Sequence, residues 1–195
     1  MDYSKYIFPI NGAFEGTGVL VGSLFITAGH VVKGFNRPYV FISSKKYYLS
    51  QENNLFLDDN TCKSSMCYDL AVFRLDGVIS PLLLADYIPN KCDELVSLSH
   101  HTICERKEGV GVFQNTIESQ LEIMAGKVIE IHDYYFECLM NGTLREGRSG
   151  SPLMNGNKVV GILIGDTDGK EVSNTVLYLS SKAIYNLLKE KGYGK

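Results

Sequence analysis

A serine between glycines is the residue of this sequence whose surroundings best suit chemistry. The stretch 147–152 reads GRSGSP and precedes an apolar run at 158–164, so we expect Ser149 on a turn before a strand. The nearby glycines let a substrate carbonyl approach the hydroxyl, and they let backbone N–H groups converge on the oxygen that becomes negative during acyl transfer. Turns rich in Gly and Ser are common between strands, so these residues alone leave a plain turn and a nucleophile equally open.

A nucleophilic serine needs a general base, and His30 has the best setting for one. It follows LFITAG at 24–29, where small residues end an apolar strand and allow the ring to project from a packed strand end. The alternative is a structural histidine whose ring is satisfied by backbone groups. His100 and His101 are adjacent in a polar stretch and His132 lies at a strand junction, so we expect these three at the surface.

A carboxylate that orients this base would complete the set, and Asp69 is the best candidate. It opens the apolar run 70–75, where a partly buried acid could hold the histidine tautomer and stabilise the imidazolium. An exposed acid at a strand start is the alternative reading. Asp58, Asp59 and Asp76 lie in polar or turn contexts and are poorer candidates. The order His, Asp, Ser is one of the few in which this triad occurs.

The composition limits the possible function classes. A chain of 195 residues with 45% hydrophobic residues can bury the core of one domain or of two small halves. A net charge of −3 and a pI near 5.8 argue against a nucleic-acid partner. No apolar run approaches the roughly 18 residues that span a bilayer, so no membrane association is expected.

The cysteines and the first residues bear on the compartment. Five cysteines with no CxxC pairing predict neither a metal site nor a disulfide framework. No basic and apolar leader opens the sequence, so no secretory signal is visible. We therefore expect a cytoplasmic protein, although a secreted chain trimmed of its signal would look the same.

Alternating apolar residues in short runs predict an all-β body closed by one helix. The predicted helix covers 181–191, with Ser181 as its cap and an apolar stripe of Ile184, Leu187 and Leu188. We expect an N-terminal half over about 1–80 and a C-terminal half over about 90–180, with mostly loop at 43–68 and an irregular stretch at 100–120. The predicted strands are 5–10, 16–21, 24–27, 38–43, 47–49, 70–75, 94–98, 122–131, 134–140, 158–164 and 175–179.

Three motifs together resemble the chymotrypsin (trypsin-like) serine peptidase family. They are TAGH at 27–30, YDLA at 68–71 and GRSGSP at 147–152, and the resemblance extends over nearly the whole chain. It implies two six-stranded antiparallel β-barrels with the active site between them and a single peptidase domain over 1–195. Among subgroups the motifs are most similar to the bacterial glutamyl endopeptidases and the high-temperature-requirement proteases.

The resemblance also implies a role for each site residue. The family is one of serine endopeptidases that cleave protein or peptide substrates without a cofactor or metal. Ser149 would be the nucleophile, His30 the general base and then acid, and Asp69 the orienting carboxylate. The N–H groups of Gly147 and Ser149 would form the oxyanion hole. The residues implied to line the specificity pocket are Thr143, Leu144, Leu163, Ile164 and Gly165.

Two positions bear on substrate preference. The resemblance places Thr143 at the pocket base, where an acid would select Lys or Arg, and Leu163 where the glutamyl group has a histidine. Neither a basic nor a glutamyl preference is therefore expected. We expect a preference for an uncharged or small apolar residue.

One residue departs from the family pattern. In the digestive enzymes the residue before the nucleophile is an aspartate that pairs with a newly cut N-terminus, and here it is Arg148. Activation by N-terminal insertion is therefore not expected. A bulky cation at this position also motivates an alternative, a latent or inactive peptidase-fold binding module that needs an activating partner to form its oxyanion hole.

Overall fold

A computed structural model describes residues 2–58, 68–108, 114–142, 147–166 and 174–193, with the backbone alone at 102, 104–108 and 114–117. The predicted all-β class with a C-terminal helix is confirmed. Within these ranges the strands are β1 Ile7–Pro9, β2 Thr17–Val21, β3 Leu24–Ala28, β4 Tyr39–Ile42, β5 Lys45–Tyr48, β6 Asn54–Asp58, β7 Leu70–Arg74, β8 Leu83–Leu84, β9 Glu94–Glu108, β10 Gln114–Ile131, β11 Tyr135–Met140, β12 Pro152–Asn155, β13 Lys158–Asp166 and β14 Thr175–Ser180, and the helical elements are a 3-10 turn Ser4–Tyr6, α1 Gly29–Val32 and α2 Ser181–Glu190.

The C-terminal strands form a closed barrel. They are antiparallel in the order β12, β9, β10, β11, β14 and β13, and a β12–β13 pairing closes the ring. Closure leaves these six strands without a free edge in the ring, which stabilises a sheet of this size. The short strand β8 is added outside the ring, parallel to β13.

The N-terminal strands form an open sheet within the described ranges. Their order is β1, β2, β3, β7 and β6, and the hairpin of β4 and β5 is linked to the chain near β1 by a bridge between Asn11 and Tyr39. The prediction of two six-stranded barrels is therefore confirmed for one barrel, and closure of the other is not shown. The predicted boundaries of the two halves stay a prediction.

Two stretches that were predicted to be loop or irregular contain strands. The predicted loop at 43–68 includes β6, which pairs with β7, and the stretch 100–120 continues a long hairpin of β9 and β10. Strand β6 is a short apolar run inside a polar stretch, and its Leu55 and Phe56 pack against the core. The sequence of the long hairpin is mostly polar, so pairing between its strands decides its conformation without an apolar alternation. The prediction of loop was therefore wrong at β6 and in the long hairpin, whereas the strand predicted at 47–49 is present as β5.

An apolar cluster joins the two halves under the helix. It includes Ile26 and Val72 of the open sheet, Ile162 of the barrel, and Ile184 and Leu188 of α2. The predicted stripe of α2 is thus confirmed as its buried face. The cap is one residue earlier than predicted, because the Ser180 hydroxyl accepts the Ala183 N–H at 3.2 Å. In the described ranges no helix combines the length and apolarity needed to cross a membrane.

Candidate active site

His30 and Asp69 are in direct contact at one end of the interior strands β3 and β7 of the open sheet. The Asp69 carboxylate accepts the His30 backbone N–H at Oδ1 (2.8 Å), and its Oδ2 lies 2.6 Å from the ring Nδ1. The aspartate side chain is 4% exposed and the histidine side chain is 40% exposed. A buried carboxylate at Nδ1 favours the neutral tautomer that carries its proton there, which leaves Nε2 as an acceptor. The ring can therefore receive a proton at Nε2.

Backbone packing explains how two distant segments reach this contact. Strand β3 ends at Ala28, which pairs with Leu70 at the start of β7, so the residues next to both ends are neighbours. Gly29 is required here, because a Cβ would lie 1.7 Å from the Asp58 carbonyl oxygen. Asp69 has a φ of +48°, a left-handed conformation that Asp tolerates better than most residues.

The Ser149 turn packs against the strand ends that carry His30. Gly150 has a φ of +85°, and a Cβ there would lie 2.2 Å from both the Thr17 carbonyl oxygen and the Thr27 hydroxyl oxygen. Only glycine allows so close an approach. A Cβ on Gly16 would lie 2.5 Å from Val31 Cγ1 and 3.2 Å from the Ser149 carbonyl oxygen. Gly16 therefore lies between the turn of the serine and the residue that follows His30.

The peptide units of the turn are held by backbone hydrogen bonds. The Arg148 carbonyl accepts the Ser151 N–H at 2.9 Å. Because the C=O and N–H of a trans peptide unit point in opposite directions, the Ser149 N–H is directed away from this bond. The Gly147 N–H belongs to a peptide unit that begins at residue 146, outside the described ranges. Within those ranges, no hydrogen bond joins the Ser149 hydroxyl to the His30 ring. In enzymes without substrate, the bond between nucleophile and base is often long and shortens when substrate binds.

The predicted specificity residues lie in two places. Thr143 and Leu144 are outside the described residues. Leu163 of β13 is buried, and its backbone bonds to the Gly150 N–H (2.8 Å) and the Ser151 carbonyl (2.9 Å). Ile164 and Gly165 are half-buried, and a Cβ on Gly165 would have no neighbour within 4 Å. Their contribution to substrate binding stays a prediction.

Arg148 is buried beneath the turn. Its side chain is 3% exposed, and its guanidinium pairs with the Glu122 carboxylate of β10, which is 30% exposed. Nδ1 of His101, on β9, lies 3.6 Å from the same carboxylate oxygen. The prediction of a surface position for His101 was therefore wrong. The Arg148 guanidinium therefore points to the barrel strand β10, where the Glu122 carboxylate neutralises its charge.

His100 was also predicted at the surface, and this was wrong. Its ring lies between the two halves, with Nδ1 2.9 Å from the Ser119 hydroxyl and Nε2 3.2 Å from the Ile7 carbonyl. A neutral ring satisfies both partners by donating from Nε2 and accepting at Nδ1. Burial lowers the pKa of His100 below its ordinary value. The prediction failed because a polar segment became part of an internal strand.

Acidification should therefore destabilise the fold through His100. Its pKa is lower in the folded state, so the unfolded chain takes up the proton first as the pH falls below about 6.5. The contribution to stability is complete above that pH and is lost below it. Urea unfolding of the wild type and of His100→Gln, at about pH 7.5 and about pH 5.5, measures the effect. We expect the free energy of unfolding to fall less on acidification in His100→Gln than in the wild type. An equal fall in both proteins would contradict the contribution of His100.

Comparison with known proteins bears on the family and the fold. A family model described as the trypsin-like peptidase domain matches residues 16–162. No curated protein matches the chain significantly by sequence. The solved structures that share the fold include the following three. They are the active form of the Rv3671c protease from M. tuberculosis (17% identity, 97% of this chain and 82% of that chain, TM-score 0.72), the inactivated protease paralogue S-D1 of the scabies mite (13%, 98% and 93%, 0.70) and the HtrA-type protease AlgW with a tripeptide (14%, 96% and 60%, 0.66).

These likenesses differ in what they establish. Identities this low show a common fold and nothing finer, so the expected similarity to the high-temperature-requirement type is supported at the level of fold, and the glutamyl-endopeptidase subtype is not confirmed. The family model is more specific, because it spans the segments of His30, Asp69 and Ser149 and well over half of the sequence. The chain therefore belongs to the trypsin-like peptidase domain family.

Proposed function

We propose that the protein is a serine endopeptidase that cleaves protein or peptide substrates through an acyl-enzyme on Ser149. The observation that carries the proposal is the 2.6 Å contact of the buried Asp69 carboxylate with the His30 ring, beside the turn that holds the serine. A buried acid against an exposed imidazole is the arrangement that a general base requires. The family to which the chain belongs supports the same reaction.

The reaction divides peptide hydrolysis into two acyl transfers. The Ser149 oxygen attacks the substrate carbonyl while His30 Nε2 takes the hydroxyl proton, and Asp69 stabilises the resulting imidazolium. His30 then gives this proton to the leaving amine, and the acyl group stays on the serine oxygen. In the second transfer, a water molecule gives a proton to His30 and attacks the acyl carbon. The imidazolium returns the proton to Ser149 as the carboxylic acid product leaves.

The remaining site residues have supporting roles. The N–H groups of Gly147 and Ser149 form the oxyanion hole, where loss of one donor costs about 3 kcal/mol of transition-state stabilisation. The substrate side chain before the scissile bond is uncharged or small and apolar, and a peptide library tests this preference. The residues that line its pocket are Thr143, Leu144, Leu163, Ile164 and Gly165.

Labelling with a fluorophosphonate probe tests the nucleophile. Wild-type protein should react with the probe at one serine, and Ser149→Ala should not react, because the probe captures a hydroxyl activated by a general base. Ser151→Ala is the matched control, since this neighbouring hydroxyl is buried and should not be needed. Failure of the wild type to label, or labelling of Ser149→Ala at the wild-type rate, would refute the proposal.

A second candidate is a binding module on the peptidase fold, latent until a partner acts. The observation that favours it is the shared fold of an inactivated paralogue from the scabies mite. Against it stands Arg148, whose charge is directed to Glu122 in the barrel. This candidate predicts that purified protein stays unlabelled and that an added activator restores labelling.

A further inference from the structure

Thr17, the first residue of β2, binds the Ser149 turn from the opposite half of the molecule. Its side chain is fully buried. Its backbone N–H donates to the Ser149 carbonyl at 2.8 Å, and its hydroxyl donates to the Gly147 carbonyl at 2.7 Å. A residue of the open sheet thus holds two carbonyls of the turn that carries the nucleophile.

These two bonds determine how the turn is oriented. Three peptide units join Gly147 to Gly150, and the middle one is held within the turn by the Ser151 N–H. Thr17 holds the carbonyl of the first unit and of the third. Each unit is planar, so fixing its C=O also fixes its N–H. Rotation of the first unit would change φ of Arg148, one of the two torsions that set the direction of the Ser149 N–H.

The Thr17 hydroxyl is itself held by the barrel. It accepts the His100 backbone N–H at 2.9 Å, and the His100 carbonyl, at 3.4 Å, is a more distant acceptor than the Gly147 carbonyl. The His100 N–H fixes the direction of the hydroxyl lone pair, so the proton is directed to Gly147. The Thr27 hydroxyl donates to the Thr17 carbonyl at 2.7 Å and completes the attachment to β3.

We propose that the Thr17 hydroxyl is a positioning group for catalysis, because it connects the His100 N–H to the Gly147 carbonyl and so sets the orientation of the Ser149 turn. This inference rests on the proposed peptidase function and adds a residue that does not touch substrate. Positioning of the turn requires the Thr17 hydroxyl and does not require the Thr17 methyl group.

Replacing the hydroxyl by a methyl group of similar size tests the role. In Thr17→Val the Gly147 carbonyl loses its donor and the turn loses orientation, so we expect kcat to fall about 10- to 100-fold, with KM within about 2-fold of the wild type. Thr17→Ser keeps the hydroxyl and should recover most of kcat. If Thr17→Val does not fold, Thr17→Ala is assayed in its place.

Ser80→Ala is the control for a merely structural effect. It removes another buried hydroxyl, which accepts the Leu82 N–H at 3.0 Å away from the site. A kcat of Thr17→Val equal to that of Ser80→Ala, or a Thr17→Ser variant as slow as Thr17→Val, would overturn the inference.

Hydrogen exchange provides a readout that does not depend on activity. The amides of 147–151 should exchange faster in Thr17→Val than in the wild type and in Ser80→Ala, because the turn has lost a support. Unchanged exchange at these amides would overturn the positioning role even in an active enzyme. Faster exchange in Thr17→Val, together with a wild type that the fluorophosphonate probe does not label, would show that the hydroxyl holds the turn but would refute the proposed function and, with it, the role in catalysis.

Discussion

Replacement of Asp69 by asparagine should lower kcat by about 10⁴-fold and leave the protein folded. The amide has the shape of the carboxylate but only one acceptor oxygen. If that oxygen keeps the His30 backbone N–H, the NH₂ group faces ring Nδ1, where Oδ2 lies at 2.6 Å in the native protein. Nδ1 must then carry the lone pair and Nε2 the proton. The ring would hold the wrong tautomer to accept a proton from Ser149.

Steady-state kinetics and thermal unfolding of the same preparation separate this effect from misfolding. Asp93→Asn makes the same chemical change at a carboxylate that accepts the Asn90 N–H at 2.8 Å in an exposed turn, and it should keep wild-type kcat. An Asp69→Asn protein with more than about a tenth of wild-type kcat would exclude Asp69 as the orienting group.

Replacement of Glu122 by alanine should lower the free energy of unfolding by about 3 kcal/mol, because it removes the carboxylate that faces a buried guanidinium. Arg148 is 3% exposed, so little water would reach its guanidinium once the carboxylate is removed. We place the effect at the low end of the range for buried pairs, since Glu122 is 30% exposed and water screens it. Activity should also fall, because Arg148 precedes Ser149 in the turn.

The matched control lies on the same strand. Glu130 pairs with Lys91 at 3.2 Å, and these side chains are 54% and 63% exposed, so Glu130→Ala should cost less than about 1 kcal/mol. Urea unfolding at one pH and one salt concentration compares the two variants. Equal losses of stability would show that the Arg148 pair contributes no more than a surface pair.

The sequence alone predicted those features that depend on one short segment of the chain. The motifs around His30 and Ser149 were recognisable because their turns need glycine next to apolar strands, and Gly29 and Gly150 lie where a Cβ would collide with backbone. Asp69 was recognisable as an acid at the start of an apolar run. The apolar stripe of α2 was predictable for the same reason, since one helix repeats its buried face every three to four residues.

The long hairpin of β9 and β10 shows where local patterns fail. Residues 100–108 and 114–120 carry polar and charged side chains, and the pairing of each strand with the other decides their conformation. The partial burial of His100 and His101 follows from that pairing. No pattern within the segment could have indicated it, because a strand of this kind is stabilised by hydrogen bonds to residues that are distant in sequence.

By itself, the sequence determined the fold class, the identity of the candidate His, Asp and Ser, and the departure at Arg148, because each of these depends on residue type within one short segment. Only the tertiary structure decided that Arg148 pairs with Glu122, that the N-terminal sheet is open in the described ranges, and that Thr17 holds the Ser149 turn. Thr17 and Gly147 are 130 positions apart, and a hydrogen bond depends on a few tenths of an ångström that only the packed chain defines.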